Sequence, residues 1–177
     1  MVFTILGQEY VSRGLIAADA SGYYFWATKE DRKYMIKALE IRMPENQMEE
    51  DTKGYETLQN AGIPVPKILQ IDPESGLILF EFASKRTVYE LLVEKEETAA
   101  YLEEIHRLAA LAKEAGVALD FFPSRYLAVE GKLIYLSPIS YPYEEAKDLA
   151  NTYEKYWSQT EELEDYIKHR LRFVSIP

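Results

Sequence analysis

Tyr23-Tyr24-Phe25-Trp26-Ala27-Thr28, followed by Lys29-Glu30-Asp31-Arg32 and then by Lys33-Tyr34-Met35-Ile36-Lys37, is the stretch that decides the fold. The first run is dominated by aromatic residues, which suit a pleated, half-buried surface. The four charged residues make a polar turn, and the last run returns as a second strand, extending over residues 33–41. Upstream, residues 10–16 read as a strand, joined to Tyr23 by the turn Ala18-Asp19-Ala20-Ser21-Gly22. The expectation is a three-stranded antiparallel meander.

Beyond it, a polar stretch around Pro44-Glu45-Asn46 leads into a helix with Met48, Tyr55 and Leu58 on one side. Gly54 inside that helix costs about 1 kcal/mol relative to alanine. Asn60-Ala61-Gly62 ends the helix, and Ile63-Pro64-Val65-Pro66 is extended because proline restricts both itself and its predecessor. Strands follow at 67–71 and 77–82, separated by the turn Asp72-Pro73-Glu74-Ser75-Gly76. Helices are expected at 88–95 and 98–115, the second with Leu102, Ile105, Leu108, Ala109 and Ala112 at helical spacing. A hairpin at 126–129 and 132–136 crosses Glu130-Gly131. Helices then span 144–157 and 161–173, the latter with Leu163, Tyr166, Ile167, Arg170 and Leu171 along one stripe. A β-rich half followed by a helical half reads as α+β.

Composition narrows the function. The 177 residues carry a formal charge of -10, which disfavours a nucleic-acid phosphate backbone as partner. The absence of cysteine excludes disulfides and thiolate metal sites and fits a reducing cytoplasm. Two histidines, His106 and His169, are too few for a His-rich metal site. No window approaches the roughly 20 apolar residues of a membrane helix, and Met1 to Gln8 lacks the marks of a secretion signal. The sequence predicts a soluble, cytoplasmic chain.

The element order, with a lysine in the third expected strand, resembles the protein kinase-like fold over roughly residues 10–157. Tyr34-Met35-Ile36-Lys37 resembles the V-A-I-K strand, whose lysine contacts ATP phosphates. Ala61-Gly62-Ile63-Pro64-Val65-Pro66 is similar to aminoglycoside phosphotransferases. The tiny RIO and KEOPS kinases are the other relatives the chain resembles, and Glu144-Glu145-Ala146-Lys147-Asp148-Leu149 resembles the final helices of these small kinases. The resemblance implies two lobes, a β-rich one at 1–83 and a minimal helical one at 84–177. It implies an adenine pocket lined by Ala27, with Phe80 as gatekeeper and the backbone of Glu81, Phe82 and Ala83 facing the base. Leu119-Asp120-Phe121-Phe122-Pro123-Ser124-Arg125-Tyr126-Leu127 resembles the catalytic loop, which puts Asp120 at the base position. Gly22 is the one glycine kept from the phosphate-covering G-x-G-x-x-G, and Asp51 is the favoured helix acid to pair with Lys37, with Glu50 and Glu56 as alternatives.

Departures from the family matter as much. Arg125 replaces the metal-binding asparagine, and Ser137 stands where the D-F-G aspartate belongs. Asp19 puts a negative charge beside the phosphates. ATP is the cofactor the resemblance implies, with Mg²⁺ held weakly or not at all. The expectation is a pseudokinase that engages a protein partner as a binding or regulatory module. The alternative is a small atypical ATP-dependent phosphotransferase acting on serine, threonine or a small molecule. Each residue also has a structural reading: Lys37 in an ion pair, Asp120 as a loop cap partnered by Arg125, and the aromatic run as sheet packing.

Overall fold

The structure is a computed structural model that describes the backbone of residues 1–174 and the side chains of residues 1–170. Four antiparallel strands open the chain: β1 (Val2–Ile5), β2 (Gln8–Ala18), β3 (Gly22–Lys29) and β4 (Arg32–Leu39). Helix α1 (Gln47–Asn60) precedes β5 (Ile68–Asp72) and β6 (Leu77–Glu81), and the six strands form one sheet in the order β1-β2-β3-β4-β6-β5. The sheet curls until β1 lies against β5, where the Leu6 N–H donates to Asp72 Oδ2 at 2.8 Å. The fold is therefore α+β, built on a curled antiparallel sheet.

Strand β1 was not expected. Its hairpin to β2 turns on Leu6 and Gly7, at φ 47° and 78°, as a two-residue turn with both central residues left-handed requires. Leu-Gly lacks the Asn-Gly or Asp-Gly signature, so the apolar N-terminus does not announce a strand. The strand expected at 33–41 stops at Leu39, and the one expected at 77–82 stops at Glu81.

The remaining elements are α2 (Val88–Val93), α3 (Ala99–Glu114), β7 (Val117–Ala118), β8 (Tyr126–Val129), β9 (Lys132–Tyr135), β10 (Tyr141–Pro142), α4 (Leu149–Thr152) and α5 (Glu161–Val174). Thr87 and Glu90 make a reciprocal capping box at the start of α2. Strand β7 pairs with β10, and β8 with β9 across the left-handed pair Glu130-Gly131. The continuous helix expected at 144–157 is instead a 3-10 turn, the short α4 and a second 3-10 turn. Asp148 explains the break: it adopts an extended conformation (φ −67°, ψ 157°), and its carboxylate accepts from the Leu149 N–H at 2.8 Å. On α5, Leu163 is buried while Tyr166 and Ile167 are half-buried; the Leu171 side chain lies outside the described residues.

Among the described residues, three packed cores follow from this topology. One sheet face gathers Phe3, Ile5, Tyr10, Ala27, Ile36 and Leu79. The other face gathers Ile16, Tyr24, Met35 and Phe80 against Met48 and Tyr55 of α1 and against Leu127 and Leu136 from the β8–β9 region. The third lies among the helices, around Ile105, Leu108, Tyr126, Trp157 and Leu163. Among the described residues, no helix is long and apolar enough to cross a membrane.

Gly54 takes on a different meaning in this packing. A Cβ built on it would sit 2.2 Å from the Pro138 carbonyl oxygen. The glycine lets α1 ride directly on the 136–139 segment, so its intrinsic helix cost is repaid by contact. We expect Gly54→Ala to lower stability by about 1–3 kcal/mol through overpacking, despite the roughly 1 kcal/mol gain in helix propensity. Denaturant unfolding measures this; a variant as stable as wild type, or more so, contradicts the close approach.

Candidate functional site

The β3–β4 register pairs Tyr24 with Lys37 and Trp26 with Met35. These residues therefore share the sheet face that packs on α1, and Lys37 enters a fully buried position beneath Tyr24. Its ammonium lies 4.9 Å from the Tyr24 ring centroid. Nζ donates to Asp19 Oδ2 at 2.8 Å and to Ser21 Oγ at 2.7 Å, and it pairs with Asp51 Oδ2 at 2.7 Å. Two of the ammonium's three donors are committed to these hydrogen bonds, and the Asp51 carboxylate lies in ion-pair contact beside them. Asp51 is the helix acid that reaches Lys37, and Gln47 Nε2 fixes its second oxygen at 2.8 Å.

Asp19 divides its two oxygens between two tasks. Oδ1 accepts from the Ser21 and Gly22 N–H groups at 2.9 and 3.0 Å, the bonding of an Asx turn at the head of the β2–β3 hairpin. Oδ2 receives Lys37 and the Tyr24 hydroxyl, the latter at 2.5 Å. Tyr55 Oη lies 2.8 Å from Tyr24 Oη and 2.9 Å from the Leu136 carbonyl, which extends the polar cluster to the segment after β9. Burial pushes the Asp19 carboxyl upward, but the Lys37 charge, together with hydrogen bonds from Lys37, Tyr24 and the Ser21 N–H, outweighs it and holds the group below the usual carboxylate range. Burial first, then the neighbouring hydroxyl and carboxylate, pushes Tyr24 well above the ordinary phenol value, and burial does the same for Tyr55.

A second constellation sits in the 120–125 loop. Asp120 Oδ1 accepts from the Phe122 N–H at 3.1 Å, and Oδ2 accepts from Arg125 Nε at 2.9 Å. Asp120 and Arg125 are both about one-third exposed, at 32% and 29%. The Arg125 guanidinium also donates to the Ala18 carbonyl, tying the loop to the Asp19 turn. Burial works against its charge, yet the bond to Asp120 and the charges of Asp120 and Asp19 raise its affinity for the proton. Signs alternate from Asp51 through Lys37, Asp19 and Arg125 to Asp120, across α1, β4, one turn and one loop.

The other expected site residues are distributed differently. Ala27 is corrected: it pairs with Tyr34 and packs on the opposite sheet face from Lys37. Phe80 is fully buried, with its ring edge-on to Tyr55 at 5.4 Å. The Glu81 N–H already donates to the Lys67 carbonyl at 2.9 Å, its side chain is exposed, and Phe82 is half-buried beneath Lys33. Gly22 is needed for packing, since a Cβ there would meet the Ala38 carbonyl oxygen at 2.2 Å. Ser137 is buried, and its Oγ accepts from the Ile139 N–H at 3.2 Å. His106 is half exposed on α3, 3.2 Å from a Glu154 oxygen, remote from these groups.

A pocket of about 710 Å³ opens on the outer side of the Asp19 turn. Ala17 to Ala20 form one wall, Phe122, Ser124 and Arg125 another, and Tyr89, Tyr166 and Arg170 line it as well. Lys37 does not border it. Among the described residues, no three His, Cys, Asp or Glu side chains converge as a metal cage. Sequence reasoning placed Asp19 near a ligand but missed its contact with Lys37, and it missed Ser21, Tyr24 and Tyr55 altogether. The Asp-x-Ser-Gly spacing at 19–22, an Asx-turn pattern, was the available signal for the turn. No protein-family model matches the chain, and no curated protein is detectably similar to it in sequence.

The depressed Asp19 carboxyl has a pH consequence. A group whose folded pKa lies below its unfolded value contributes stability that is complete above the unfolded value, near 3.9, and is lost as pH falls through the folded value. We expect Asp19→Asn, which keeps a turn-capping oxygen but not the charge, to be less stable than wild type by about 1–3 kcal/mol at neutral pH. The gap should narrow as pH falls towards 2. Unfolding curves across that range test this, and a gap that stays constant removes the Asp19 charge from the account.

Proposed function

We propose that the chain is a catalytically impaired protein-kinase-like module, a pseudokinase that acts by binding another protein. In this reading residues 1–83 are a β-rich lobe and residues 84–177 a minimal helical one. Support comes from the strand lysine paired with an acid of the next helix, and from a short hairpin directly after the 120–125 loop. A cysteine-free, strongly acidic chain suits a cytoplasmic setting and a protein partner rather than nucleic acid.

One observation carries the impaired half of the reading: the Lys37 ammonium is fully buried and held by two carboxylates and a hydroxyl of the protein itself. Phosphoryl transfer relies on positioning and on neutralising phosphate charge. A lysine enclosed in this way supplies neither. The positions aligned with metal ligands hold Arg125, which repels a cation, and Ser137, whose hydroxyl is turned to the Ile139 N–H. The residues present do not fit a nucleotide with Mg²⁺.

Calorimetric titration of ATP with and without Mg²⁺, paired with a phosphoryl-transfer assay on wild type and Asp120→Ala, tests the proposal. We expect no Mg²⁺-dependent binding and no turnover. Wild-type turnover in the kinase range of about 1–100 per second, lost in Asp120→Ala, overturns it in favour of a small atypical phosphotransferase.

A further inference from the structure

The buried cluster holds one more anion than its cation requires. Lys37 is matched in charge by Asp51 alone, and both are almost fully enclosed. Asp19 adds a second carboxylate, also nearly inaccessible, at 2.8 Å from the same ammonium. Two carboxylates on one buried cation repel each other in a medium of reduced dielectric. The two are held unequally. Asp51 projects from α1, whereas the Asp19 bonds from the Ser21 and Gly22 N–H groups lie within its own turn, where Ala20 and the adjoining Ala18 are exposed. Only Lys37 and the Tyr24 hydroxyl therefore tie the carboxylate to the core.

That turn is also thin. Its outer side, Ala17 to Ala20, is a wall of the 710 Å³ pocket, and its inner side is the Asp19 carboxylate on Lys37. Arg125 borders the same pocket and reaches back to the Ala18 carbonyl. If the turn swings outward, the pocket extends to the Lys37 ammonium, with a guanidinium at its rim. Lys37 and Arg125 then both border the space the carboxylate has left. Their chemistry suits a tetrahedral, multiply charged oxyanion.

We infer that the Asp19 turn is a latch, and that its carboxylate is an internal anion standing in a latent site for a phosphate group. The ligand is a phosphate ester or polyphosphate, entering from the pocket and exchanging for Asp19 on Lys37. This rests on the kinase-like reading of the Lys37 strand and adds that the enclosure of its ammonium is reversible. The exchange is a substitution of one anion for another at the ammonium. Asp51 stays in place, and the Asp19 carboxylate moves into solvent with its turn.

The test uses tripolyphosphate and ATP, both without metal, titrated into the full chain and followed by calorimetry. Asp19→Ala and Asp19→Asn are compared with wild type after their folding is checked by near-ultraviolet circular dichroism. Asn keeps a capping oxygen, so it serves if the Ala variant fails to fold. We expect either variant to bind tripolyphosphate about ten- to hundredfold more tightly than wild type, the range of one charge-assisted hydrogen bond. Adding Lys37→Met should erase the gain. A folded Asp19 variant that binds both probes no more tightly than wild type overturns the latch and leaves the pseudokinase reading intact. Wild-type turnover with ATP and Mg²⁺ overturns both.

Discussion

A lysine ammonium with no access to water must be neutralised and fully hydrogen-bonded, and much of this molecule is arranged around that demand at Lys37. Its three partners come from separate parts of the chain: the β2–β3 turn supplies Asp19 and Ser21, and α1 supplies Asp51. Satisfying one cation thus fixes the helix against the sheet and folds the turn inward. Removing one carboxylate loosens two elements together. The alternating signs carry the constraint onward, since Arg125 links the turn to the 120–125 loop and Asp120 anchors Arg125 within it.

The same face of the helix is clamped one turn further on. Gly54 allows the Pro138 carbonyl to approach the α1 backbone, and the Tyr55 hydroxyl reaches the Leu136 carbonyl. Ser137, lying between them, turns its hydroxyl to the Ile139 N–H. The 136–139 stretch is a packing surface for α1. Its neighbours Leu127 and Leu136 complete the core with Ile16, Met35 and Phe80. The Tyr55 and Ser137 hydroxyls are thereby both satisfied within this segment.

Much of this arrangement could be read from the residues. The aromatic run, its polar turn and the returning strand define the β3–β4 hairpin, and the resemblance named Asp51 ahead of Glu50 and Glu56 as the helix acid for Lys37. The Asp120–Arg125 contact follows from a cation and an anion confined to one short loop. Ala27 shows where resemblance outran geometry. Pairing Thr28 with Lys33 across the turn sets Tyr24 opposite Lys37, and alternation then sends Ala27 to the other face. Strand β1 was hidden because Leu6-Gly7 is an uncommon hairpin turn. The break at Asp148 was hidden because a single capping carboxylate interrupts an otherwise helix-prone run. Asp19 was hardest, since whether a turn carboxylate faces solvent or core depends on a cation 18 residues away.

The central claim is that Lys37 and its carboxylates are coupled members of one buried unit. A double-mutant cycle on Lys37→Met and Asp51→Asn, measured by denaturant unfolding at neutral pH, tests it most directly. The account predicts that each single change strands a buried polar group and that the double variant recovers part of the loss, with a coupling energy of about 1–3 kcal/mol. Additive losses, with coupling indistinguishable from zero, would contradict it.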